Sequence, residues 1–192
     1  MTERLSAVFK LIDAANAADP AREVSDGVGR PAALLYGERM SRALSGFAAA
    51  PSEELQIAVR GQHIERWKRP RAAYPVGRAG YLQWRRDAAE FHARRLGELM
   101  ALHGFGADSA ERVGKLVRKH SLKTDDESQT LEDVACLVFM RWYCLPFAET
   151  RTPDELLKIV QKTAKKMSAR GREAALKLPL PPHLVPAILA AG

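Results

Sequence analysis

Cysteine is scarce in this sequence, with Cys136 and Cys144 the only two among 192 residues. On one helix they would lie about 12 Å apart, from ~1.5 Å of rise per residue, which is beyond disulfide reach. A disulfide-stapled fold is excluded, and both thiols are expected as small buried apolar groups of a reducing compartment. Long hydrophobic runs are also missing, since no stretch approaches the roughly 20 apolar residues that a bilayer span requires. The first residues lack the basic-then-apolar pattern of a secretory signal, so a cytoplasmic location with no membrane partner is expected. There is no internal repeat, and no segment shows convincing strand alternation.

What is present is an ordinary globular balance, 46% hydrophobic and 28% charged. A chain of this length can bury a real core without disulfides or structural metals. Helical periodicity dominates. Leu5, Val8, Phe9, Leu11 and Ile12 form one apolar stripe, ending near Asn16 to Pro20. A polar loop with Asp26, Gly27 and Gly29 follows, and Pro31 suits the first turn of a second helix carrying Leu34, Leu35, Met40, Leu44 and Phe47. A third helix is expected from Pro51 to about Arg66, a loop over 68–77, and a long helix from Gly80 to Leu102. Further helices are expected from Ala107 to His120, from Thr130 to Cys144 and from Thr152 to about Met167, with a polar loop after His120. The expected architecture is all-α: one compact domain of about eight helices over 1–177. A proline-rich tail over 178–192, with one short helix, docks on it.

The formal charge of +7 and a pI near 9.6 favour anionic partners. That charge is concentrated. Between Arg60 and Arg95 stand ten basic residues against Glu65, Asp87 and Glu90, a surplus equal to that of the whole chain. Arg66, Trp67, Arg69, Arg71, Tyr81, Trp84 and Arg85 interleave guanidinium groups with aromatic rings. Arginine binds phosphate through paired N–H donors, and an aromatic face accepts a base or another guanidinium. A phosphate-bearing small molecule or a nucleic acid is therefore the expected partner. A solvated basic helix face is the plainer explanation of the same residues. The lysines of the later helices, Lys158, Lys162, Lys165 and Lys166, are equally well explained that way, or as a protein-docking surface.

Two histidines stand out. His63 lies one turn after Val59 at the end of the expected third helix, and His92 falls on the core side of the long helix, between Ala88 and Leu96. Asp133 opens a helix that is apolar on nearly every side, sharing a face with Leu137, Met140 and Cys144. A first-turn carboxylate is ordinarily a cap for the helix dipole, and a core-facing histidine is ordinarily hydrogen-bonded within the fold. Together, though, His63, His92 and Asp133 could offer two imidazoles and a carboxylate to a divalent metal.

Four runs carry a family resemblance: Leu11 to Asn16 (LIDAAN), Gln62 to Trp67 with Pro70-Arg71 (QHIERW, PR), Ala79 to Arg85 (AGYLQWR), and Gln129 to Phe139 (QTLEDVACLVF). Through them almost the whole chain resembles the family called domain of unknown function 4202, which implies no settled activity. A weaker resemblance is to the HD-domain metal phosphohydrolases, helical enzymes with ordered His and Asp ligands. His92 to Met100, followed by His103-Gly104-Phe105, looks like that family's His-initiated element. His63 looks like the His of its His-Asp pair, and Asp133 like its later Asp. The chain departs from the pattern at two places. The stretch that matches the first His offers Tyr36 or Glu38, and Ile64 replaces the paired Asp with Glu65 one step on.

This resemblance implies an HD-like fold and a divalent-metal-dependent phosphohydrolase acting on a nucleotide or other phosphoester. His63, His92 and Asp133 would be its metal ligands, and Glu65 or Glu38 its base. The alternative is a non-catalytic RNA- or nucleotide-binding module built on the same basic, aromatic segment.

Overall fold

The computed structural model describes residues 1–120, 122 and 124–191. The expected polar loop after His120 and the end of the tail lie partly outside the described residues. The described residues are predominantly helical, with ten α-helices and one two-stranded sheet. They fall into two compact units: Met1–Arg42 with Ala50–Ser121, and Ala43–Ala49 with Leu122–Gly192. No helix is long and apolar enough to cross a membrane among the described residues.

In the first unit, α1 (Glu3–Ala17) starts at Thr2, whose hydroxyl accepts the Leu5 N–H. Its buried stripe is Leu5, Val8, Ile12 and the polar Asn16. The segment expected as a loop is instead an antiparallel hairpin, β1 (Arg22–Ser25) with β2 (Val28–Pro31). Asp26 and Gly27 form its turn with φ of +52° and +77°. Two positive φ values match the right-handed twist of a hairpin, for which Asp-Gly is a preferred pair. The alternation that marks a strand is weak here because Val24 and Val28 are 73% and 61% exposed, so neither strand shows a core-facing row. Pro31 ends β2 rather than opening the helix, and α2 (Ala32–Phe47) begins one residue later. Asp19 joins these pieces, its carboxylate accepting the N–H groups of Ala21 and Ala33 at 2.9 Å each.

The third helix, α3 (Glu53–Gly61), is capped by Ser52 and ends five residues before Arg66. The expected loop that follows holds two 3-10 turns, Arg66–Lys68 and Arg71–Ala73. The long helix α4 (Arg78–Ala101) packs on α5 (Ala107–Arg118), and α3 packs against α1, α4 and α5. Gly61 allows that approach, because a Cβ there would lie 2.4 Å from Leu96 Cδ2.

In the second unit, α6 (Asp126–Val138) is capped by Asp125 and continues through a π turn at Phe139–Tyr143 into α7 (Cys144–Ala148). Pro146 lacks the N–H that would close the ordinary turn, and the widened turn lies directly before it. A capping box of Thr152 and Glu155 opens α8 (Pro153–Ala164), and Ser168 caps α9 (Ala169–Leu176). The tail adds a 3-10 turn at Pro182–Leu184 and α10 (Val185–Leu189). Its Leu184, Ala187 and Ile188 are buried in the same core as Leu137, Met140, Cys144, Leu156 and Val160.

Candidate functional site

After α3 the chain reverses on Glu65, which takes the left-handed conformation at φ +50°. A non-glycine residue is held there only when its surroundings fix it. Three contacts do so. Its N–H is donated to Asn16 Oδ1 at 3.0 Å, and its buried carboxylate accepts from Lys68 Nζ at 2.5 Å and Arg95 Nε at 3.0 Å. The reversal places Gln62, His63 and Arg66 beside α2 and α4.

There the side chains form one cluster. Gln62 Nε2 donates to the Tyr36 hydroxyl at 3.0 Å, and the His63 ring stacks on Tyr36 with centroids 4.9 Å apart. The His92 ring lies 6.0 Å from His63, and His92 Nδ1 donates to the Ile64 carbonyl at 2.8 Å. A carbonyl only accepts, so the proton of His92 is on Nδ1 and Nε2 carries the lone pair. His92 is only 2% exposed. Arg66 brings one guanidinium N–H within 3.1 and 3.2 Å of the two His63 nitrogens and lies 4.9 Å over the Trp84 ring.

Around this centre the segment braces itself. Trp84 Nε1 donates to the Arg69 carbonyl at 2.8 Å, and the Arg69 guanidinium lies 4.8 Å over Phe91. Arg71 donates to the carbonyls of Tyr74, Pro75 and Gly77, which holds the loop before α4. Tyr81 leans on Trp84 at 5.8 Å, with Arg85 6.0 Å from the Tyr81 ring centre. Trp67 is partly buried in the first 3-10 turn.

The electrostatics are those of a positive, largely buried cluster. Burial holds His63 well below its ordinary pKa, and the positive charge of Arg66 pushes the same way. Burial likewise lowers His92, to about 4, against the opposing pull of its bond to Ile64. Both imidazoles are neutral at pH 7. Burial also lowers Arg66, the effect being offset in part by the neighbouring Tyr36 and Tyr81. Among the described residues no carboxylate forms an ion pair with Arg66, Arg69 or Arg85. A guanidinium that is desolvated and has no carboxylate beside it favours an incoming anion.

The carboxylates expected as base or ligand have other partners. Glu38 is held by both terminal nitrogens of Arg30 at 2.7 Å each, and Glu65 by Lys68 and Arg95. Asp133 belongs to the second unit. Its carboxylate accepts from the Ser168 N–H at 2.8 Å, the Ser168 hydroxyl at 2.5 Å and Gln129 Nε2 at 3.0 Å. Among the described residues no group of three or more His, Cys, Asp or Glu side chains is placed to hold one metal ion.

Sequence reasoning missed the supporting residues Asn16 and Phe91. Asn16 carried a signal, as an amide closing the apolar stripe of α1. Phe91 carried none, because an aromatic next to a buried histidine on a helix has many uses.

The fold and the contacts define a predominantly helical protein with a basic, aromatic cluster built between α2, the 62–69 segment and α4. A family described as "Domain of unknown function (DUF4202)" matches residues 6–188, and the chain belongs to that family. Neither the curated proteins nor the solved structures compared with it gave a match.

Proposed function

We propose that the pocket of the first unit binds a phosphoester. The carrying observation is Arg66: partly buried, without a carboxylate partner among the described residues, and directed at the neutral imidazole of His63. Arg69 supplies a second guanidinium without a carboxylate partner nearby. A phosphate group would accept from the Arg66 fork, with the N–H of the neighbouring His63 ring as a further donor. Calorimetric titration with inorganic phosphate and ribose phosphate tests the reading. Binding should weaken about tenfold or more in Arg66→Ala, the usual worth of a hydrogen bond to a charged group. Failure of the wild-type chain to bind either compound would remove it.

A second reading keeps the HD-like fold and adds hydrolysis assisted by a divalent ion held by His63 and His92 of the first unit. One observation favours it: His92 is oriented through Nδ1 by a backbone carbonyl, which leaves Nε2 as the ring's lone-pair nitrogen, as in ligating histidines. Against it stand the Arg66 N–H beside both His63 nitrogens and the prior engagement of Glu38, Glu65 and Asp133. Metal analysis decides between the two. One equivalent of metal per chain, lost in His92→Ala and accompanied by phosphoester hydrolysis, would favour the second reading. Phosphate affinity unchanged by added zinc or manganese favours the first.

A further inference from the structure

We infer that the phosphoester taken by this pocket is a nucleotide, whose base lies on Tyr81; this rests on the phosphate-binding reading above. Tyr81 is 43% exposed at the start of α4, an unusual position for a large ring with no core to fill. Its ring neighbours Trp84 and Arg85. The ring leans on Trp84 at a tilt of 43°, and Trp84 is itself held by its Nε1 bond to the Arg69 carbonyl and by the Arg66 guanidinium on its face.

Tyr81 and Arg66 are therefore both in contact with one indole. Tyr81 also lies near enough to Arg66 to influence its charge. A phosphate on Arg66 and a planar ring on the phenol of Tyr81 would then flank the same indole, with the ribose of a nucleotide bridging them. Arg85, one helical turn beyond Tyr81, stands 6.0 Å from the ring centre, farther than a stacked contact. Its flexible side chain can close over a base laid on the phenol. Every base presents a π face, so such a shelf recognises a base without reading its edge.

The test compares adenosine monophosphate, ribose phosphate and inorganic phosphate by calorimetry on the full chain, with Tyr81→Ala, Tyr81→Phe and Arg66→Ala. Stacking of one base is worth ~1–3 kcal/mol, so adenosine monophosphate should bind about 5- to 150-fold more tightly than ribose phosphate. Tyr81→Ala should remove that advantage and leave ribose phosphate affinity unchanged, while Tyr81→Phe keeps it. Arg66→Ala should weaken all three ligands. Equal affinity of wild type for adenosine monophosphate and ribose phosphate overturns the inference and leaves the phosphoester reading standing. An equal loss of both ligands in Tyr81→Ala also overturns it. Absence of binding by all three overturns the inference and the reading together. A single-stranded oligoribonucleotide binding about a hundredfold more tightly than the mononucleotide replaces it with a polynucleotide site.

Discussion

His92 shows how one residue joins folding to chemistry. The fold removes its ring from water and ties Nδ1 to the Ile64 carbonyl, so the neutral form is preferred by the native state. The unfolded chain, with histidine near 6.5, binds that proton more readily. Stability from this group is complete above about pH 6.5 and is lost as pH falls from there towards 4. At ~1.4 kcal/mol per pKa unit, the loss is on the order of 3 kcal/mol. His63 is depressed for the same reason and adds to the loss in the same direction. Thermal unfolding measured across that range should show a falling midpoint, and proton NMR should show neither ring titrating near 6.5. Normal titration of both would contradict the buried, neutral pair. The histidines themselves were legible in the sequence as core-side groups. Their mutual distance was not, because it depends on where α3 stops.

Between elements, close approach decides more than propensity. Gly80, in the first turn of α4, faces the loop that Arg71 holds, and a Cβ there would fall 2.0 Å from the Pro75 carbonyl oxygen. Backbone cannot yield as a side-chain end can, so Gly80→Ala should displace the 75–80 segment. It should also destabilise the protein by about 1–3 kcal/mol, the range for overpacking. Chemical denaturation would measure the cost, and the Trp84 fluorescence its effect on the pocket. Gly171 plays the corresponding part in the second unit, where a Cβ would meet the Asp133 carboxylate at 2.6 Å. Asp133 there ties α6 to the first turn of α9 through Ser168. Asp133→Ala should destabilise α9 by about 2–4 kcal/mol, from buried donors left without their acceptor. Increased amide exchange in α9 would register it. Retained protection of α9 would show that Asp133 is not needed to hold that helix. Helix existence was readable from apolar spacing, and the Thr152 capping box marked α8 directly. The end of α3 was not, because Gln62 to Arg66 continues the helical pattern while Glu65 is turned left-handed by Asn16, Lys68 and Arg95.

For the whole molecule, the distribution of charge matters more than its sum. The excess of +7 is matched by the surplus between Arg60 and Arg95, so the first unit holds the most basic segment of the chain. The second unit is completed by the tail. Removing residues 178–192 withdraws Leu184, Ala187 and Ile188 from its core, at about 1.5–3 kcal/mol for each large side chain. Amide exchange in α8 and α9 should then rise towards that of an unfolded segment, and unchanged protection would show that the tail is dispensable.

By itself, the sequence determined that the chain is mainly helical and which faces are apolar, because those follow from local spacing of side chains. It also determined the basic, aromatic segment and, through four runs of residues, the family. Tertiary structure alone decided what those residues meet. Glu38, Glu65 and Asp133 are indistinguishable in sequence from free carboxylates, and only folding brings Arg30, Lys68, Arg95 and Ser168 to them. Arg66 is likewise one arginine among several in that stretch, until the reversal at Glu65 seats it beside His63 and Trp84, without an ion-pair partner among the described residues. Ion pairs and hydrogen bonds act through space over a few ångströms, and the partners here are separated by as many as 35 positions along the chain.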